Sequence, residues 1–275
     1  MALLSYEFMR RALLASVFIA AIAPMLGVFL VVRRQSLLAD TLSHVSLAGI
    51  ALGLFLNINP TFTTLLVVAV AAIILEYLRK IYSSYSEISI AMLMSGGLAI
   101  ALVLIKLSPN SQGINIQNYL FGSIVTINWS QVWLLGGLCV LLAVLFFLVK
   151  RPLYMMTFDE DVAAVDGLPV SLMSSIFNVV TGIAIAVMIP IAGALLVSAI
   201  MVLPAAIGMR LGKSFNWVVL ISVLVGLFGM LSGLYTSFEV DTPPGATITL
   251  IFIGVFIIVN LGKKLVVTLR RKQHA

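Results

Sequence analysis

Along this chain, long apolar runs alternate with short polar breaks. Nine runs stand out, at about 12–32, 37–56, 61–78, 88–107, 130–149, 171–189, 191–209, 217–235 and 246–267. Most approach the ~20 residues a helix needs to cross about 30 Å of hydrocarbon. Stretches such as Leu13 to Val32 and Leu134 to Val149 carry no charge and lack the alternation of a barrel strand. In lipid the backbone must satisfy itself, as helices or closed barrels. The pattern therefore predicts an all-α polytopic membrane protein with eight or nine transmembrane helices. The break between the sixth and seventh runs is marked only by Pro190 and Gly193, and reads either as a turn or as a kink.

Composition agrees with that picture. Of 275 residues, 62% are hydrophobic and 9% charged, with a mean hydropathy of +1.19. A soluble domain is roughly one-quarter charged, so this chain cannot cover a water-facing surface. The net charge of +6 points to basic cytoplasmic loops and membrane lipid, not to nucleic acid. Cys139 is the only cysteine, which excludes an intrachain disulfide. The first run follows Arg10 and Arg11 as a signal peptide would, but it lacks a convincing small-residue cleavage site, is followed by more spans, and reads as a retained span.

The basic residues predict orientation. Arg33 and Arg34 follow the first run, Arg79 and Lys80 the third, and Lys150 and Arg151 the fifth. Arg210 and Lys213 follow the seventh, and Lys263, Lys264, Arg270, Arg271 and Lys272 the ninth. Each cluster follows an odd-numbered span, which places the N-terminus outside and the C-terminus in the cytoplasm. Of 16 basic residues, Arg10, Arg11 and Lys106 depart from the rule.

Two connections exceed a tight turn. The outer one, about 108–129, holds Pro109, Asn110 and Gly113, then the amphipathic stretch Asn118-Tyr119-Leu120-Phe121-Gly122. The cytoplasmic one, about 150–170, holds Asp159, Glu160, Asp161 and Asp166 and ends in Gly167 and Pro169. A short helix from Asp159 to Val165 would present Val162, Ala163 and Val165 beside an acidic first turn, where the helix dipole favours carboxylates. Such a segment at a solvated turn suggests a protein partner.

The second span carries Asp40 and His44. Four apart, they stack on one helix face. Ionisable groups within a span are costly and line a pathway or pair with each other. The two can hold a divalent first-row metal, or they can be an ordinary Asp–His hydrogen bond. As a metal site the pair is incomplete, because zinc generally takes four ligands. Gly49 with Gly53, and Gly229 with Gly233, are small-xxx-small pairs that suit close helix packing. Glu76 is placed for a local ion pair with Arg79 or Lys80, and Glu87 for a helix start. Asp241 falls in an outer turn, and His274 in a polar tail. Gly212-Lys213-Ser214 imitates the end of a phosphate-binding loop, but Ile207 stands where the first glycine belongs, and no strand precedes it.

Taken together, these residues resemble the permease family of ATP-driven zinc, manganese and iron importers, over nearly the whole chain. The main match is Ser36-Leu37-Leu38-Ala39-Asp40-Thr41-Leu42-Ser43-His44-Val45-Ser46-Leu47-Ala48-Gly49. Others are Tyr119-Leu120-Phe121-Gly122-Ser123, the acidic helix ending at Gly167, Pro190-Ile191-Ala192-Gly193-Ala194-Leu195-Leu196-Val197, Leu203-Pro204-Ala205, and Asp241-Thr242-Pro243-Pro244-Gly245.

The resemblance implies one permease domain over 1–275 of the type II ABC importer kind, in the bacterial plasma membrane. It implies a second copy of the chain, two cytoplasmic ATP-binding subunits and an extracellular metal-binding lipoprotein. It assigns metal coordination to Asp40 and His44, with Zn²⁺ or Mn²⁺ as cargo and no permanently bound cofactor. The segment at about 155–169 becomes a coupling helix, with Asp159, Glu160, Val162, Ala163 and Gly167 engaging the ATPase. Ala48 stands where many members have proline, and Glu87 where many have aspartate. The Ser-Leu-Ala-Gly form of 46–49 leans to zinc. The rival expectation is a gradient-driven transporter or channel acting alone, which would show internal repeats with broken helices. An intramembrane enzyme lacks a supporting motif.

Overall fold

The structure, a computed structural model, describes residues 6–82, 86–108, 116–122 and 124–273. Pro109, Asn110, Gly113, Ser123 and His274 lie outside them. The helices are α1 (Glu7–Val32), α2 (Ser36–Leu56), α3 (Pro60–Ile81), α4 (Ser86–Leu107), α5 (Ile116–Phe121), α6 (Trp129–Phe158), α7 (Glu160–Val165), α8 (Val170–Ala192), α9 (Ala194–Leu211), α10 (Phe215–Val240) and α11 (Pro244–Gln273). Among the described residues, nine of these are long and apolar enough to span a membrane, all but α5 and α7. The chain is a multi-pass membrane protein, all-α as its pattern predicts.

Helices α1 and α2 form the centre, and α4, α6 and α11 the periphery. Of the most apolar stretch of α2, 72% is buried, against 17% for each of those three. Large side chains such as Phe147 and Leu148 on α6 and Ile258 on α11 are exposed, as suits a lipid-facing surface. Helix α2 lies against α3, α4, α8 and α9. Its seam with α3 is close because a Cβ on Gly49 would meet the Thr64 backbone. There the Thr63 hydroxyl donates to the Gly49 carbonyl at 2.9 Å. Gly229 and Gly233 likewise admit Phe252 and Ile248 of α11. Both pairs are packing features.

One boundary differs from the sequence pattern, and a second takes one of the two forms that pattern allows. Helix α6 does not end near 149; it runs 30 residues, or about 45 Å at 1.5 Å per residue, longer than the about 30 Å of a hydrocarbon core. Leu153, Met156 and Thr157 keep its inward face buried beyond Pro152. The segment at 150–158 is therefore helix, not loop. At 190–193 the chain truly breaks: Pro190 is still inside α8, and the turn falls on Gly193 at φ 83°, a backbone region that glycine enters without strain.

That break has a partner. Gly122, at φ 77°, lies so close that a Cβ there would strike Ala192 and Gly193, and a Cβ on Gly245 would strike the Phe121 carbonyl. The stretches around 119–122, 190–197 and 241–245 thus meet in one corner.

At the other end the basic clusters gather. Phe29, near the end of α1, packs on Phe215 at the start of α10 (ring centroids 5.2 Å apart), and Phe215 on Tyr154 of α6 (5.2 Å). Arg210 donates to Asn260 at 2.9 Å. Arg33, Arg79, Arg151, Arg210 and Lys263 thereby lie toward one end of the bundle.

Candidate metal site and coupling segment

Helix α2 opens at Ser36 after a three-residue corner. Its polar residues divide into two sets. Thr41 donates to the Leu37 carbonyl at 2.9 Å and Ser43 to the Ala39 carbonyl at 2.8 Å. Such back-bonding one turn up the helix satisfies both hydroxyls locally. Asp40 and His44 are not consumed in this way. They share a face with Leu37, and their side chains are 41% and 22% exposed.

His44 Nε2 lies 3.8 Å from Asp40 Oδ1. That is too long for a hydrogen bond, and leaves an ion-pair contact that holds only when His44 is protonated. It is short enough for one ion at about 2.0–2.2 Å from each atom to bridge them, as zinc bonds to nitrogen and oxygen require. His44 Nδ1 is buried and makes no hydrogen bond among the described residues. No group of three or more His, Cys, Asp or Glu that could hold a metal occurs among those residues. Asp40 and His44 are thus the two candidate ligands brought together here.

The acidic segment folds as expected, into the six-residue α7. Asp159 caps it, accepting from the Asp161 and Val162 backbone N–H groups at 3.1 and 3.0 Å. Gly167, at φ 84°, stops it. The Gly167 N–H donates to the Ala164 carbonyl at 3.1 Å and the Leu168 N–H to the Ala163 carbonyl at 3.0 Å, a Schellman closure. Asp159 and Gly167 therefore shape the helix.

Val162 is 56% exposed and Val165 91%. Ala163 departs from the expected outward set. It is fully buried, because it lies one turn from Glu160 on the face turned toward the bundle. Glu160 is also engaged within the chain. Arg33 Nη2 donates to Glu160 Oε1 at 2.7 Å and to Ser174 Oγ at 2.8 Å, and Arg79 Nη2 donates to the same Glu160 oxygen at 3.3 Å. Burial pushes the Glu160 carboxyl up, but the hydrogen bond from Arg33 and the charges of Arg33 and Arg79 outweigh it and hold it below the ordinary glutamate value.

Glu76 forms the local ion pair that its position suggests, 3.7 Å from Arg79. It also accepts from Asn178 of α8 at 2.8 Å. Sequence reasoning missed Arg33, Ser174 and Asn178, because each bonds across more than 100 positions. The one local signal is the i, i+3 spacing of Glu160 and Ala163, which separates an inner face of α7 from the Val162 and Val165 face. Gly212-Lys213-Ser214 joins helix α9 to helix α10, and no strand leads into it.

Comparison with known proteins agrees with this architecture. The chain is 30% identical over 257 residues to a "Probable metal transport system membrane protein" of Treponema pallidum, covering 94% of this chain and 96% of that one. It is 27% identical to the "High-affinity zinc uptake system membrane protein ZnuB" of Haemophilus influenzae, over 92% and 97% of the two chains. In fold it is similar to a chain of PsaBC from Streptococcus pneumoniae in complex with Fab, with a TM-score of 0.84, 24% identity, and 94% and 92% coverage. Residues 5–263 match the ABC 3 transport family, and the chain belongs to that family.

Proposed function

We propose that this chain is the permease subunit of an ATP-driven importer that moves a divalent transition metal, Zn²⁺ foremost and then Mn²⁺, into the cytoplasm. The observation that carries the reading is the Asp40–His44 pair. Its two ligand atoms are 3.8 Å apart on a partly exposed face, at a spacing one ion can bridge and a hydrogen bond cannot. Two ligands leave a tetrahedral site half complete. A second copy of the chain, meeting the first along this face of α2, would supply the other two.

In this reading the end carrying Arg33, Arg79 and Lys263 is cytoplasmic, in keeping with the positive-inside rule. The exposed Val162 and Val165 edge of α7 receives the ATPase subunits, which hydrolyse ATP; this chain does not. An extracellular metal-binding lipoprotein delivers the ion at the opposite end, near the corner of Gly122, Gly193 and Gly245. The names of the curated relatives support a metal cargo, and the ZnuB relative supports zinc.

The test is Zn²⁺ uptake into proteoliposomes holding the chain with its ATPase subunits. Uptake that requires ATP is expected. Equal uptake without ATPase subunits, driven by an ion gradient, would replace this reading with a stand-alone transporter.

A further inference from the structure

The cluster at the base of α1 does more than neutralise charge. We propose that Arg33 and Glu160 form a latch joining α7 to the corner that leads into α2, so that Arg33 is the positioning residue passing movement of the ATPase to the metal pair. The inference rests on the permease reading above.

Arg33 is a buried cation. Its side chain is 2% exposed, and its Nε and Nη1 atoms have no hydrogen-bond partner among the described residues. A guanidinium in such a place is costly unless a carboxylate compensates it. That carboxylate is Glu160, 127 positions away. Drawing α7 off the bundle would strand the Arg33 charge, so the two must move together. Arg79 of α3 grips the same oxygen from a second side. Glu76, Asn178 and Ser174 extend the polar contacts onto α8.

The link from Arg33 to the metal pair is covalent and short. Arg33 ends α1, and only Arg34 and Gln35 separate it from α2. The corner is tied by bonds from the Arg33 N–H to the Phe29 carbonyl at 3.0 Å and from the Gln35 N–H to the Leu30 carbonyl at 2.7 Å. From Ser36 to Asp40 the helix rises about 6 Å. A displacement of Arg33 therefore displaces α2 and the pair it carries. Helix α7 divides its labour accordingly: Val162 and Val165 face outward for the partner, while Glu160 and Ala163 face inward to hold the bundle.

The experiment measures Zn²⁺ transported per ATP hydrolysed in proteoliposomes, for wild type and Glu160→Gln, together with copurification of the ATPase. The latch predicts retained copurification and a ratio lowered roughly tenfold, within the usual range of coupling between sites. A wild-type ratio in Glu160→Gln would overturn the latch. So would loss of the ATPase from that variant, which would make Glu160 a docking residue.

A second readout needs no partner. A spin label at Val165→Cys, with Cys139→Ala, should become more mobile when Glu160→Gln is added to the full chain in vesicles; unchanged mobility overturns the latch. Absence of ATP-driven uptake by wild type would instead remove the permease reading, and the spin label would still test the latch.

Discussion

Arg33 and the Asp40–His44 pair stand close together along this chain and are built in opposite ways. Arg33 is buried, paired with Glu160 at 2.7 Å and backed by Ser174 and Arg79. Asp40 and His44 are partly exposed, 3.8 Å apart and not hydrogen-bonded to each other. The first has the economy of a structural joint, in which the buried cation has found its carboxylate. The second has two polar atoms at a metal-bridging distance, and no third His, Cys, Asp or Glu joins them among the described residues. A joint should resist change in geometry, whereas a transport site should cost the fold little and the activity much.

That contrast can be broken by substitution. Asp40→Ala and His44→Ala should each lower Zn²⁺ uptake by about 100-fold or more, at or above the roughly 10–100-fold expected of groups that only orient a ligand. Uptake assays in vesicles check this, and near-normal uptake by both variants would remove the site. The same substitutions should shift unfolding by no more than about 0.5 kcal/mol, as for surface positions without a special contact. Glu160→Gln should destabilise by about 2 kcal/mol, less than the roughly 3–5 kcal/mol of a fully buried broken pair, because Glu160 is 46% exposed. Equal destabilisation at both sites, measured by thermal unfolding in detergent, would erase the distinction between joint and transport site.

A smaller effect should appear with pH. Glu160 is held below its ordinary value by Arg33 and Arg79 against the upward push of burial. A depressed carboxylate contributes stability above its unfolded value and loses it as pH falls through the folded one. The Val165 label should stay restrained to below about pH 4.3, the ordinary glutamate value, and loosen only beneath it. Loosening between pH 5 and 6 would show that another group holds α7.

Much of this architecture was legible in the sequence. The spans were readable because lipid demands long apolar runs, and the basic residues after odd spans gather toward one end as expected. Asp40 and His44 were readable because helix spacing alone places them together. The end of α6 was not, since an apolar inward face continues through Leu153 and Met156 after the charged pair Lys150 and Arg151 has signalled an edge. The break at Gly193 is ambiguous in the sequence, because a proline in a helix permits either a kink or a stop; its contact with Gly122 is between residues distant along the chain.

The acidic segment was half read. Its helix, cap and stop follow from local chemistry, but its inward face depends on Arg33, Arg79 and Ser174. In the sequence Arg33 is one more loop cation, since periodicity carries no information about partners more than 100 residues away.

X-ray absorption at the zinc edge of the metal-loaded transporter reads the ligand atoms themselves. Imidazole nitrogen and carboxylate oxygen at about 2.0–2.2 Å are expected, with the imidazole signal lost in His44→Ala. A spectrum unchanged by that substitution would contradict metal binding at this pair.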